Sequence, residues 1–368
     1  MGAKKHIKEK AMSIIQTYHT IVERLKQIVS TERITRIRTM AWLQSGILHS
    51  RSVHLNRIAS KIPGTAKKLS RVRQLERFVD NPHVRVREWY HPVAEGLLKE
   101  AAATGGTLRL IIDGSKVGNG HQLLMVSLAY RRRALPIAWT WVRCRRGHST
   151  GHKQCALLAY VHSLVSAGTE VVVIGDSEFS PLQAVLEGWG WFYTLRQKGN
   201  HLLRLAQDQA WQRCDTLVTQ PGKQAWLTNI ELTQEHAHPC NFFALWLPNE
   251  KDPWLLATNL PTARLARLHY SRRMWTEGMF GDFKRNGFDL EASRLQQFLH
   301  LSRLTLAVAL LYVTVVTFGS QTIKNGLRHL VDRKDRRDLS IFRIGFDMLE
   351  RMLANSLSFL IRPLPYFL

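Results

Sequence analysis

Residues 171–175 read Val-Val-Val-Ile-Gly, apolar or featureless at every position, and the run ends on Asp176. A strand that alternates polar and apolar residues can leave one face in water, but a strand without alternation has to be covered on both. The chain is thereby committed to a sheet with its middle buried, which places it in the α/β class. A second run, Leu-Arg-Leu-Ile-Ile at 108–112, closes on Asp113. The segments TLRLIID (107–113), QLLMVSLAY (122–130) and LPIAWTWVR (135–143) are joined by short turns such as Gly118–Asn119–Gly120, and they read as an antiparallel meander. Periodicity predicts a helix from about 153 to 166 and another at 181–188, followed by the strand WFYTLR at 191–196.

The flanks differ in texture. Residues 1–100 hold 20 Lys and Arg against 8 Asp and Glu, half of the net +24 that the whole chain carries. An excess of this size implies a polyanionic partner, nucleic acid first. Apolar residues recur at helical spacing through Ile14–Val29, Ile34–Leu48, Leu69–Val79 and Val84–Leu98, with Pro63–Gly64 and Asn81–Pro82 as breaks. Lys67, Lys68, Arg71, Arg73 and Arg77 line one of these helices and suit phosphate contacts, although a solvated basic face reads the same way. Residues 200–260 alternate short apolar strands with Pro, Gly and Asn turns, a β-rich insertion, and from Thr262 the pattern is helical again.

The most apolar run, Leu304–Phe318, holds three threonines in 15 residues and falls short of the roughly 18–20 needed to cross a bilayer, so a core helix is expected and no membrane. The stripe Ile341, Ile344, Met348, Leu349, Met352 and Leu353 suits either core packing or a dimer face. Four scattered cysteines argue for free thiols and a reducing cytoplasm, and polar residues interrupt any signal-peptide core near the N-terminus. Cys144, His148, His152 and Cys155, with His236, His238 and Cys240, are ligands zinc accepts, but they lack a knuckle spacing and structural zinc is not expected.

Asp113 and Asp176 each close an apolar run, and the ends of strands are where an α/β sheet gathers its site residues. Taken singly, either is as well explained by a turn or a cap. A third carboxylate, Glu277, lies in the helical stretch LHYSRRMWTEGMFGDFKRNGF. Three carboxylates from two strand ends and a helix make a hard-oxygen set for Mg²⁺, with Mn²⁺ as a substitute, and two such ions activate a water or 3′-hydroxyl against a phosphodiester.

Tyr270, Arg273, Glu277 and Lys284 stand at the spacing Tyr-x2-Arg-x3-Glu-x6-Lys, offsets that put all four on one helix face. This resembles the signature of the bacterial insertion-sequence DDE transposases that carry a YREK motif. The chain order is similar too: a strand-borne Asp113, a strand-borne Asp176 opening DSEF (176–179), the insertion, then the Glu277 helix. So are Arg196-Gln-Lys-Gly-Asn200 and Leu256-Ala-Thr-Asn-Leu260, and the likeness covers most of residues 30–350. Many relatives place Trp directly after the signature Arg, whereas here Met274 stands there and Trp275 one later.

The resemblance implies a helical DNA-binding domain over 1–100, a ribonuclease-H-like catalytic core over 101–320 interrupted at about 200–260, and a helical C-terminal segment over 321–368. It implies cleavage at insertion-sequence ends and transfer of the 3′-hydroxyls into target DNA. Asp113, Asp176 and Glu277 would hold two Mg²⁺ ions, and Tyr270, Arg273 and Lys284 would hold DNA phosphates. The partners implied are terminal inverted repeats, target DNA and a second copy of the chain on paired ends, at the bacterial nucleoid. Trp254 is a candidate for stacking on an unstacked base, though a core tryptophan is the commoner role. Two other functions suit the same residues: a nuclease or resolvase on this fold, and a non-catalytic DNA-binding protein.

Overall fold

In a computed structural model, which describes residues 2–118, 120–143, 149–205, 209–233 and 238–367, the chain opens with five helices. These are α1 (Gly2–Ile28), α2 (Ile34–Ser50), α3 (Leu55–Ala59), α4 (Lys68–Asp80) and α5 (Val86–Gly105). The two predicted breaks fall between α3 and α4 and between α4 and α5. Helix α3 has no counterpart in the periodicity, because five residues are too few to leave a periodic trace. It lies against α2 where Gly46 leaves room: a Cβ there would stand 2.3 Å from Ile58 Cγ2. Helix α4 turns Val72, Leu75, Phe78 and Val79 inward and leaves Lys68, Arg73 and Arg77 exposed.

The strands β1 (Thr107–Val117), β2 (His121–Tyr130) and β3 (Arg133–Arg143) form the expected meander. Helix α6 (Gly151–His162) leads to β4 (Glu170–Gly175), and a 3-10 turn at Ser177–Leu182 runs into α7 (Gln183–Gly188) and β5 (Phe192–Arg196). Strand β4 is parallel to β1 on one side and to β5 on the other, and Val171–Ile174 are at most 1% exposed. The unalternating run thus occupies the position its composition requires.

Five further strands follow: β6 (Leu202–Arg204), β7 (Gln212–Arg213), β8 (Gln224–Leu232), β9 (His238–Leu245) and β10 (Trp254–Thr258). All ten join one sheet in the order β3-β2-β1-β4-β5-β10-β9-β8-β6-β7. The insertion is therefore an extension of the sheet, attached where β10 pairs with β5. Its strands alternate as strands must: Phe243, Leu245 and Leu256 face the main core, while Phe242, Ala244 and Leu255 build a second small core with Leu203, Cys214, Ile230 and Cys240.

The last helices are α8 (Ala263–Tyr270), α9 (Met274–Phe283), α10 (Phe298–Lys324) and α11 (Ile341–Ala354). Helix α10 extends well beyond the predicted core helix, to 27 residues. By length and composition it would cross a membrane, yet 94% of its most apolar window is buried inside the chain. It packs on α2, α4, α5, α11 and β3, so the N-terminal helices and the sheet share one apolar core with α10 at its centre. Some of its polar groups are tied off: Arg303 donates to the Val79 and Val84 carbonyls at 2.9 and 3.1 Å, and Trp141 Nε1 donates to Thr305 Oγ1 at 3.1 Å, whereas the buried Tyr312 and Thr317 hydroxyls find no partner among the described residues.

Helix α11 crosses α10 backbone to backbone. A Cβ at Gly319 would lie 2.1 Å from the Ile341 carbonyl, and one at Gly345 would lie 2.0 Å from that of Val315. Ile341, Ile344, Met348, Leu349 and Leu353 are buried there. The stripe weighed as a dimer face is thus core packing, because α10 needs a cover on that side.

Candidate active site

The strand expected to end at Asp113 runs on to Val117, because β2 keeps pairing with it through Val117 opposite His121. On its other side, β4 stops at Gly175, opposite Ile112. Asp113 is therefore the first residue of β1 beyond its parallel neighbour, beside the gap that β4 vacates. Asp176 leaves β4 into the same gap and caps the turn that follows, its Oδ1 accepting from Ser177 N at 2.7 Å. The glycine before it sits in tight packing: a Cβ at Gly175 would stand 3.0 Å from Leu195 Cδ2 and 3.1 Å from Phe179 Cβ, so a side chain there would press on both.

The signature segment, expected as one helix face, is broken. Helix α8 ends at Tyr270, α9 begins at Met274, and Lys284 has left the helix at φ −89°, ψ −136°. The N–H groups of Arg272, Arg273, Trp275 and Thr276 bond three residues back, to the carbonyls of His269, Tyr270, Arg272 and Arg273. Such 3-10 bonds wind the chain more tightly than an α-helix, so the four side chains do not fall on one stripe. Tyr270 turns inward, 3% exposed, and meets the Trp254 ring edge-on with centroids 5.0 Å apart. Trp275 lies under the Arg272 guanidinium instead, 5.6 Å from its ring centroid.

Arg273 holds the centre. Its Nη2 donates to Glu277 Oε1 at 3.0 Å, and its Nη1 lies 3.6 Å from Asp176 Oδ2 and 3.8 Å from Asp113 Oδ2. The three carboxylates, Arg273 and Lys284 line one cavity of about 410 Å³. Lys284 Nζ donates to the Lys116 carbonyl at 2.6 Å and lies 3.3 Å from Glu291 Oε1. The structure therefore brings five of the six predicted residues to one cavity and sets the sixth, Tyr270, behind it.

With the guanidinium between them, the carboxylates are not closed to ligand spacing, and among the described residues no group of three His, Cys, Asp or Glu side chains is set to hold a metal. The donor set is nonetheless all carboxylate oxygen, the chemistry a hard divalent cation takes. Of the residues considered for zinc, Cys144, His148 and His236 lie outside the described residues, while Cys155 and Cys240 are free thiols and His238 Nε2 lies 3.1 Å from Glu187 Oε2.

Burial sets the electrostatics. It pushes the Asp113 carboxyl up to about 7, against the pull of Arg273 and of the Gly114 N–H. It likewise raises Tyr270 to about 12, against the pull of Arg273 and of Arg196, a hydrogen-bonding neighbour of the hydroxyl. For Arg273, burial works against the charge, but the fields of Tyr270, Asp176, Asp113 and Glu277 outweigh it and raise the pKa.

Behind α9 lies a pair that no local spacing announces. Arg133 Nε donates to Asp282 Oδ2 at 2.8 Å, and its guanidinium lies so close to α9 that a Cβ at Gly278 would stand 2.7 Å from Arg133 Nη1. Asp282 is five residues after Glu277, hence across the helix from it. Burial lifts the Asp282 carboxyl to about 6 while Arg133 pulls it down.

No protein-family model matches the chain, and no curated protein sequence matches it. Among solved structures it is similar to the cryo-EM structure of the piggyBac transposase synaptic complex with hairpin DNA, with a TM-score of 0.39 and 12% sequence identity over 94% of this chain and 80% of that chain.

Proposed function

We propose that this chain is a DNA transposase of the DDE class, built on a ribonuclease-H-like core, that cleaves insertion-sequence ends and joins their 3′-hydroxyls to target DNA. One observation carries the reading: carboxylates delivered from β1, from the residue after β4 and from α9 all lie within 4 Å of a single guanidinium at the mouth of one cavity. The strand order β3-β2-β1-β4-β5, an antiparallel meander followed by the parallel set β1, β4 and β5, supports the core assignment. The spacing of the YREK signature and the order of the acidic residues support the family.

In this reading Asp113, Asp176 and Glu277 hold a pair of Mg²⁺ ions, replaceable by Mn²⁺. Held by these residues, such ions would supply the polarisation of a water or 3′-hydroxyl and the charge stabilisation of a leaving oxygen. Lys284 and Arg273 bind the phosphates of the strand being cut. Asp176 and Glu277 stay more than a third exposed, so the site is open to a macromolecular strand. The basic face of α4 takes the terminal repeats by phosphate contacts. Two copies act on paired ends at the bacterial nucleoid.

The test is a strand-transfer assay on DNA carrying the terminal repeats that flank the gene. Ala at 113, 176 or 277 should abolish cleavage and joining in Mg²⁺ while leaving gel-shift affinity largely intact. Normal joining by any one of the three variants would sink the proposal.

A further inference from the structure

We propose that Arg273 is an internal counter-ion of the carboxylate cluster, so that a divalent cation can bind only as this guanidinium leaves. The inference rests on the reading of the cluster as a cation site and gives Arg273 a task that precedes any phosphate contact.

The oxygens in question are already in use. Nη2 occupies Glu277 Oε1, and Nη1 stands between Asp113 Oδ2 and Asp176 Oδ2. A cation bound by the same three residues competes for those oxygens. A guanidinium stays charged at any working pH, so it cannot be cleared by losing a proton. It has to move.

What holds it is one-sided. Besides the carboxylates, its hydrogen bonds among the described residues go only to the Met274 sulfur, 3.2 Å from Nη2. Sulfur is a weak acceptor. No backbone carbonyl anchors the group, in contrast to Arg303 in α10, whose guanidinium is fixed by two. The attraction that retains Arg273 is therefore the attraction the cations would cancel.

Its position favours transfer to a phosphate rather than loss to water. Arg273 and Lys284 line the same cavity, and a planar guanidinium matches a phosphate through paired N–H groups. A DNA strand entering between them offers Arg273 a replacement anion, so strand binding and cation loading help one another, and by linkage each tightens the other equally. Without DNA, the cluster keeps its counter-ion and discourages cation loading.

The experiment is a titration of the full chain with MnCl₂ in the absence of DNA, following free Mn²⁺ by its electron paramagnetic resonance signal. Arg273→Gln should bind Mn²⁺ about tenfold more tightly than the wild type, the ordinary size of a coupling between sites, even though the substitution removes a phosphate ligand. Equal or weaker binding by this variant overturns the inference and leaves the cation site standing. Asp113→Ala should weaken Mn²⁺ binding, and if it does not, the cluster is no cation site and both readings fall. Should Arg273→Gln not fold, the wild type decides the matter. With ¹⁵N-arginine, the Arg273 Nε–H resonance, identified by its absence in Arg273→Lys, should shift along the Mg²⁺ binding curve. A resonance unmoved by saturating Mg²⁺ overturns the proposal.

Discussion

On one side of α9, Arg133 meets Asp282 one to one at 2.8 Å, and the Asp282 side chain is 4% exposed. On the other side, Arg273 meets Asp113, Asp176 and Glu277 one to three, and the last two remain open to solvent. The first arrangement balances its charge and fixes the helix that carries Glu277. The second leaves a surplus of negative charge, which a fold would not keep for its own stability. Where like charges are crowded and one carboxyl is buried, function is the usual reason. Charge balance, more than burial, separates the Arg133–Asp282 pair from the carboxylate cluster.

The sharpest way to test this contrast is Asp113→Asn. If Asp113 holds the proposed cation, cleavage should fall to background. Stability should move the other way, and the sign follows from the shift. The folded pKa of Asp113 is about 7 against an ordinary 3.8, so ionising it opposes folding. That cost is absent below the unfolded pKa, grows as pH rises between the two values and is complete above about 7. Thermal melts should therefore show the variant more stable than wild type at about pH 8 and equal to it at about pH 4. A variant less stable at the higher pH would place Asp113 with the structural residues.

Asp282→Asn sets two effects against each other. Burial raises Asp282 as well, to about 6, so the gain from removing its charge at high pH is smaller than for Asp113. Against it stands the Arg133 guanidinium beside Gly278, left without its counter-charge, and breaking a buried pair by removing one partner costs roughly 3 kcal/mol. Urea unfolding measures the loss. A double variant, Arg133→Met with Asp282→Leu, should recover most of it, because an apolar pair of similar volume removes both charges at once. If Asp282→Asn costs no more than Asp113→Asn, the two faces of α9 are not distinguished by charge balance.

How much of this the sequence declared depends on whether the cause was local. The buried strand at 171–175, the two aspartates that follow apolar runs and the core helix around 304–318 were legible because hydrophobic pattern alone decides them. The single helix face expected for Tyr270, Arg273, Glu277 and Lys284 failed because four 3-10 bonds intervene, and nothing in the residues at 271–276 declares that tightening. Strand β1 overran its predicted end because β2, not its own composition, keeps it extended through Val117. Arg133 and Asp282 lie 149 residues apart, so no spacing rule reaches them. The unalternating strand and the strand-end carboxylates point to the candidate site; the break between α8 and α9 decides where each side chain lies around it.

The smallest expected effect concerns the basic N-terminal segment, and the fold changes how it has to be tested. Deleting residues 1–100 would strip α2, α4 and α5 from α10 and open the shared core, so failure of the remainder to bind DNA would say nothing about which residues touch it. Point changes on α4 avoid this. Lys68, Arg73 and Arg77 are exposed, whereas Arg71 is engaged with Gln74 and the Pro63 carbonyl and should be left alone. Replacing the three exposed cations by Gln removes charge without touching Val72, Leu75, Phe78 or Val79. If this face lies on DNA, affinity should weaken, and the slope of log K against log salt should shrink by about one for each phosphate that is no longer neutralised. The melting temperature and the Mn²⁺ affinity of the carboxylate cluster should stay as they were, since α4 neither lines the cavity nor supplies any of its charges. A salt slope unchanged by the triple substitution would make α4 a solvated face, and the search for the DNA-reading surface would move to another part of the chain.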